Sequence, residues 1–240
     1  MVEPSLQQLL STHRVRRASA LQGAQGARSS APVMSGWSLG ELSGRLVELS
    51  GEAALTVATG LVLQAQRAAE PTAWIARGGG STFFPPDVAE SGVDLAALAV
   101  VLPLREGAAV IEGRPAEGRS AARSAHRLRL VRQLRAAEQL LRSGAFGLVV
   151  LDLGSVVDLS LPAQTRLASL AQRHDSALLC LTEKDEPAPS LGSLVSLHVA
   201  VRRRQLPDGR FCCELRALKD KRRGPGWVAA EVCRGPVGLR

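Results

Sequence analysis

Two hydrophobic periods alternate along this chain, and the switches between them mark short apolar strands separated by amphipathic helices. Residues 44–50, carrying Leu46, Val47 and Leu49, read as a strand that runs into Gly51. Leu55, Ala58, Val62 and Ala65 then recur at helical spacing and predict a helix over 53–69. Further strands are predicted at 72–76, 98–102, 147–152 and 177–181, the third of these ending on the carboxylate of Asp152. Between them, Gly78-Gly79-Gly80 opens a loop with Phe83, Phe84, Pro85 and Pro86, followed by a short helix at 87–91. A long helix is predicted over about 118–143, where Leu130, Leu134, Ala137 and Leu141 form one line and Arg119, Arg123 and Arg127 another. Ser143-Gly144 should stop it, and a further helix is predicted at 162–173. Strands alternating with helices imply an α/β fold with a mainly parallel sheet between helices. The end of the chain changes character: 194–203 and 211–218, separated by Pro207-Asp208-Gly209, predict a C-terminal antiparallel β-hairpin.

The same patterning divides the chain. Residues 4–21, with Leu6, Leu9, Leu10 and Val15 ahead of Arg16 and Arg17, predict a short amphipathic helix, and the Gly/Ala/Ser/Gln-rich stretch to 36 reads as a linker. A core domain is expected over 37–220 and a basic tail over 221–240. At 240 residues and 45% hydrophobic content, the chain can bury a full core. No apolar run approaches the roughly 18–20 residues of a bilayer span, and Met1-Val2-Glu3-Pro4 does not begin a secretory signal. A cytoplasmic location without membrane association is expected. Cys180, Cys212, Cys213 and Cys233 lack metal-ligand spacing, so reduced structural thiols and no metal site are expected.

Charge sharpens this picture. The net charge is +8, but 201–240 hold eleven cations against four carboxylates and 114–142 hold eight against two, whereas 41–113 hold four against nine. Such asymmetry points to an acidic partner, nucleic acid or protein. With 3% aromatic residues and no Tyr, a stacking platform for single strands is poorly supplied.

The residues Gly44-Arg45-Leu46-Val47-Glu48-Leu49 entering a glycine, Ser91-Gly92-Val93-Asp94-Leu95 before a strand, and the Asp-ended strand 148–152 together resemble the bacterial RecA recombinase family. The resemblance implies a RecA-like, P-loop NTPase-type fold over most of 36–220. It also implies where the chain departs from the family. A phosphate-binding loop needs G-x-x-x-x-G-K-[ST], and counting from Gly51 the last three positions are Thr56, Val57 and Ala58. The second strand should end in catalytic acid, but Ala76, Arg77 and Gly78 follow Ile75. A γ-phosphate-sensing glutamine is replaced by Thr182-Glu183-Lys184, and both DNA-binding loops are short. The combination is similar to the RecA-like accessory proteins of bacterial error-prone repair, the ImuA group. The close of the chain, Arg216 to Trp227, is similar to the basic, Trp-containing end of that group.

A non-catalytic protein with no cofactor is therefore expected. Gly51, Thr56, Val57, Ala58 and Asp152 mark a degenerate nucleotide site, and Asp152 is read as a relic or a structural cap. Arg202, Arg203, Arg204, Arg210, Lys219, Lys221, Arg222 and Arg223 are expected to gather on the hairpin, extended by Arg216, for partner docking or weak non-specific DNA contact. A solvated surface is the plainer alternative. Trp227, between glycines and cations, is the expected exposed anchor, and Trp74 is expected in the core. His126 and His174 lack a G-x-S-x-G serine, so a hydrolase is not expected. The resemblance implies RecA and a polymerase-like translesion subunit as partners during SOS mutagenesis. Two rivals are a repair ATPase or recombinase with a divergent loop, and a DNA-binding or cell-division regulator.

Overall fold

The computed structural model describes residues 37–77, 83–102, 119–156, 158–186, 188–206 and 211–233, with the backbone alone at 119–125 and 232–233. The expected N-terminal helix and linker, the Gly78–Gly80 triplet, the Pro207-Asp208-Gly209 turn and Arg210 lie outside the described residues.

The predicted alternation of strands and helices is present. In chain order the elements are α1 (Leu39–Leu42), β1 (Leu46–Ser50), α2 (Ala54–Arg67), β2 (Thr72–Ile75), α3 (Pro85–Glu90) and β3 (Leu98–Val101). There follow α4 (Arg119–Ser143), β4 (Leu148–Gly154), α5 (Leu161–Arg173), β5 (Ala177–Thr182), β6 (Leu197–Gln205), β7 (Phe211–Asp220) and β8 (Val228–Cys233). Among the described residues, eight strands form one sheet in the order β3-β2-β4-β5-β1-β6-β7-β8. The pairs from β3 to β6 are parallel, and β7 and β8 add on antiparallel. Strands covered on both faces need apolar residues at every position rather than alternate ones, and β1, β2, β4 and β5 are buried throughout. No helix among the described residues is long and apolar enough to cross a membrane.

Two cores result, one on each face. On the first, α2 sets Ala54, Val57, Ala58, Leu61, Val62 and Ala65 against Val47, Leu49, Trp74 and Val199. Trp74 is in the core, as expected, with the Phe83 ring 5.1 Å away. On the second face, α4 and α5 cover Ile75, Val149, Leu151 and Leu178 with Ala137, Leu141, Leu167 and Ala171. These helices do not reach every strand. The β5–β6 connection, through Leu191 and Val195, joins α5 in covering β1 on this face.

The segment 221–240 was expected as a tail, yet Val228–Cys233 pairs along β7 from Phe211 to Arg216 and extends the sheet by a strand. Trp227, expected to be exposed, is half-buried beside Trp37, with ring centroids 6.4 Å apart, and its indole N–H donates to Asp220 Oδ2 at 2.9 Å. A hairpin pattern alone did not reveal this strand, because 228–233 is too short and too plain to stand apart from the basic stretch before it.

Candidate functional site

Parallel α/β sheets present ligand sites at the carboxyl ends of their strands, where successive connections leave toward opposite faces. Here the chain leaving β1 turns at once into α2. Only Gly51, Glu52 and Ala53 separate the two elements. Gly51 has φ +103°, its N–H donates to Thr182 O at 3.2 Å, and its carbonyl accepts from the Ala54 amide at 3.2 Å. A Cβ at Gly51 would collide with the Val201 carbonyl of β6, so the turn lies directly against its neighbouring strand. Glu52 Oε1 accepts from the Arg203 amide at 3.0 Å. Val57 and Ala58 are fully buried under the sheet, and Thr56 is half-buried. Gly51→Ala is therefore expected to destabilise the fold by about 2–4 kcal/mol, from left-handed strain plus the clash. Urea unfolding would measure it, and an unchanged midpoint would refute the close packing.

The ends of β2, β4 and β5 carry the next group. Asp152 is buried near the end of β4, where the β4–β5 register shifts. Arg77, just beyond β2, lies with Nε 3.9 Å from Asp152 Oδ1 and with Nη1 donating to Glu183 Oε1 at 2.6 Å. Gly154 makes room for it: φ is +58°, and a Cβ there would overlap the guanidinium. From the other side, Gln133 of α4 donates to the Asp152 and Ala76 carbonyls at 2.6 and 3.3 Å. Above these residues opens a cleft of about 340 Å³, lined by Arg77, His126, Arg129, Gln133, Ser155 and Glu183 among others. The sequence placed Asp152 and identified Arg77 and Glu183 as departures from the RecA pattern. It did not indicate that they meet, because Arg77 and Glu183 are 106 residues apart.

A second polar cluster was missed. Glu48, in the middle of β1, is fully buried and accepts from Lys184 Nζ at 3.0 Å, Thr182 Oγ1 at 3.0 Å and the Leu191 amide at 2.7 Å. His198 Nε2 lies 2.9 Å from Ser50 Oγ and 3.9 Å from Glu48 Oε1. Serine and carboxylate thus approach the same ring nitrogen, whereas a hydrolase triad requires them on opposite nitrogens. Burial lowers the His198 pKa, against the pull of Glu48 and with the help of Lys184 and Lys219. Burial, followed by Glu48, pushes up the neighbouring Cys180 thiol. The cluster clamps the β5–β6 connection over β1. Its signal in the sequence was a carboxylate inside an apolar strand, since a buried charge demands a partner.

The basic residues expected on one patch separate into groups. The register sets Arg202 opposite Glu214 and Arg204 opposite Cys212, whereas Lys219 lies opposite His198 at the far end of β7. Arg202 and Arg216 both pair with Glu186, the latter at 3.0 Å, and Arg204 pairs with Glu214 at 2.9 Å. Arg202, Glu214 and Arg216, with Val228, line an open groove of about 310 Å³ on the sheet face that α4 and α5 leave uncovered. Arg203 points the other way, its guanidinium carbon 5.6 Å from the Phe211 ring centroid. Lys219 Nζ donates to the Gly192 and Ser193 carbonyls at 3.0 and 3.2 Å. Arg222 binds the Ser43 carbonyl at 3.1 Å, and Arg223 stacks over Trp227 at 5.0 Å. Lys221 lies exposed beside them. His174 caps α5 at the turn before β5. Among the described residues no group of three or more His, Cys, Asp or Glu could hold a metal ion. No protein-family model and no curated protein matches this chain.

Proposed function

We propose that this chain is a non-catalytic, RecA-like accessory protein that acts in damage-induced mutagenesis and translesion synthesis by binding RecA and a polymerase-like partner. The observation that carries the reading is the charge arrangement at the strand ends. A Mg–nucleotide needs a roomy amide-lined loop, a lysine for the phosphates and a free carboxylate for the metal. The residues present do not fit it. The β1–α2 turn has three residues pressed against β6, and the positions for lysine and hydroxyl hold Val57 and Ala58 of the core. The Arg77 guanidinium already stands between Asp152 and Glu183, where a divalent cation would meet repulsion. The RecA-like part of the reading is supported by the element order: a central strand followed by a glycine, a strand with an acid near its carboxyl end and antiparallel strands added at the end.

The two separated cationic groups suit two partners. One surrounds Arg202, Arg204 and Arg216, and the other surrounds Lys221 and Arg223 at the opposite end of β7. Purified full chain is expected to turn over no ATP above background and to retain RecA and the polymerase-like subunit in separate pull-downs. Reversing charge at Arg202 and Arg204 should weaken one capture, and reversal at Lys221 and Arg223 the other. ATP turnover that Asp152→Ala abolishes, or a failure to retain either partner, would overturn the reading.

A further inference from the structure

The cleft over the ends of β2, β4 and β5 has no part in that scaffold role, yet it is built like a ligand site. The chain leaves β2 toward α3 on one face and leaves β4 toward α5 on the other, so a crevice must open between these neighbouring strands. His126, Arg129 and Gln133, at i, i+3 and i+7 on α4, form its wall. Arg77 and Ser155 come from the floor. We propose that this cleft binds a small phosphate monoester.

The chemistry of the lining selects that class. Two guanidiniums, an imidazole and a hydroxyl border one space, and a guanidinium fork matches the paired oxygens of a phosphate. Arg77 is held in place beforehand. Asp152 is buried beside it, and Gly154 leaves the room its guanidinium occupies. Little side-chain ordering then remains for binding. One carboxylate opposes an anion at the rim: Glu183, whose side chain is 55% exposed and hydrogen-bonded to Arg77. A dianionic phosphate displaces Glu183 from the fork and leaves it free to turn to solvent, while Asp152 stays beneath the guanidinium. The volume of about 340 Å³ exceeds what a bare phosphate fills and sits at the small end of ligand clefts. Leu130 and Leu153 give the body of the ligand an apolar contact. Phosphate binding here is read separately from the scaffold role, since a titration reports on Arg77 and Arg129 whereas the pull-downs report on the cationic groups on and beside β6 and β7.

Isothermal titration of the full chain with ribose 5-phosphate, ribose and malate tests it. Ribose 5-phosphate should bind and ribose should not. Arg77→Gln and Arg129→Gln should each weaken binding roughly tenfold to a hundredfold, the loss expected for one charged hydrogen-bonding group. Glu183→Gln, a rim substitution that spares the fold, should tighten binding by removing the internal competitor. Absence of ribose 5-phosphate binding, affinity indifferent to Arg129→Gln and Glu183→Gln, or tighter binding of malate would each overturn the proposal.

Discussion

Glu48→Ala is expected to destabilise the protein by about 3–5 kcal/mol, the usual result of removing one member of a buried ion pair. The substitution leaves the Lys184 ammonium, the Thr182 hydroxyl and the Leu191 amide without their shared acceptor, and it opens a void beneath the β5–β6 connection. The connection from 183 to 196 shares the covering of β1 on that face with α5, and it loses the group that fastens it. Chemical denaturation should show the loss, and protease should cut this connection first. A double substitution, Glu48→Leu with Lys184→Met, should recover most of the stability, because apolar replacement of both charges removes the desolvation cost along with the pair. If Glu48→Ala alone proves neutral, the clamp does not exist.

Asp220→Ala should cost a similar amount, about 3–5 kcal/mol. Arg45 and Asp220, 175 residues apart, form a buried pair at 2.6 Å that joins the amino end of β1 to the end of β7. The same carboxylate accepts from the Arg222 amide at 2.9 Å and from Trp227. Without it the buried Arg45 guanidinium keeps, among the described residues, Ser196 and the Glu41 carbonyl as acceptors, and the turn that launches β8 loses its anchor. The effect also sets a pH dependence. Burial alone would raise the Asp220 pKa, but the Arg222 amide, the Trp227 indole and Arg45 together hold it below the ordinary carboxylate value. Its stabilisation is complete above about pH 4 and disappears as pH falls through the folded value. His198 works in the same direction at higher pH. Buried and neutral in the folded state, it declines a proton that the unfolded chain accepts below about pH 6.5, so stability falls there too. Asp220→Asn should flatten the lower limb of a stability–pH curve, and His198→Gln the upper one. Wild-type curvature in both variants would refute the assignments.

The elements were largely legible. The strands expected at 72–76, 98–102 and 177–181 occur at Thr72–Ile75, Leu98–Val101 and Ala177–Thr182, and the long helix ends at Ser143. Periodicity reports whether a segment is covered on one face or two, and that depends on local residues alone. The strand expected at 44–50 begins two residues later, because Gly44 takes φ +68° and cannot continue a strand. The hairpin was legible as far as Leu218, two residues short of the end of β7, but β8 was not. It is an edge strand, and what holds it is the Asp220–Trp227 turn rather than a pattern of its own.

By itself, then, the sequence determined a sheet-and-helix alternation, a terminal hairpin and the absence of a phosphate loop's lysine and hydroxyl after Gly51. Only the tertiary structure decided where the charges go. Parallel strands must be linked by crossovers, so sheet neighbours are seldom chain neighbours, and order β2-β4-β5-β1-β6 brings Arg77 to Glu183 and Glu48 to Lys184. The same rule separates what looks contiguous. Arg202 and Lys219 seemed parts of one basic patch, yet antiparallel register puts them toward opposite ends of a strand pair, most of their charge already engaged with carboxylates and carbonyls. A charge in the sequence is a requirement for a partner, and the register of the sheet chooses it.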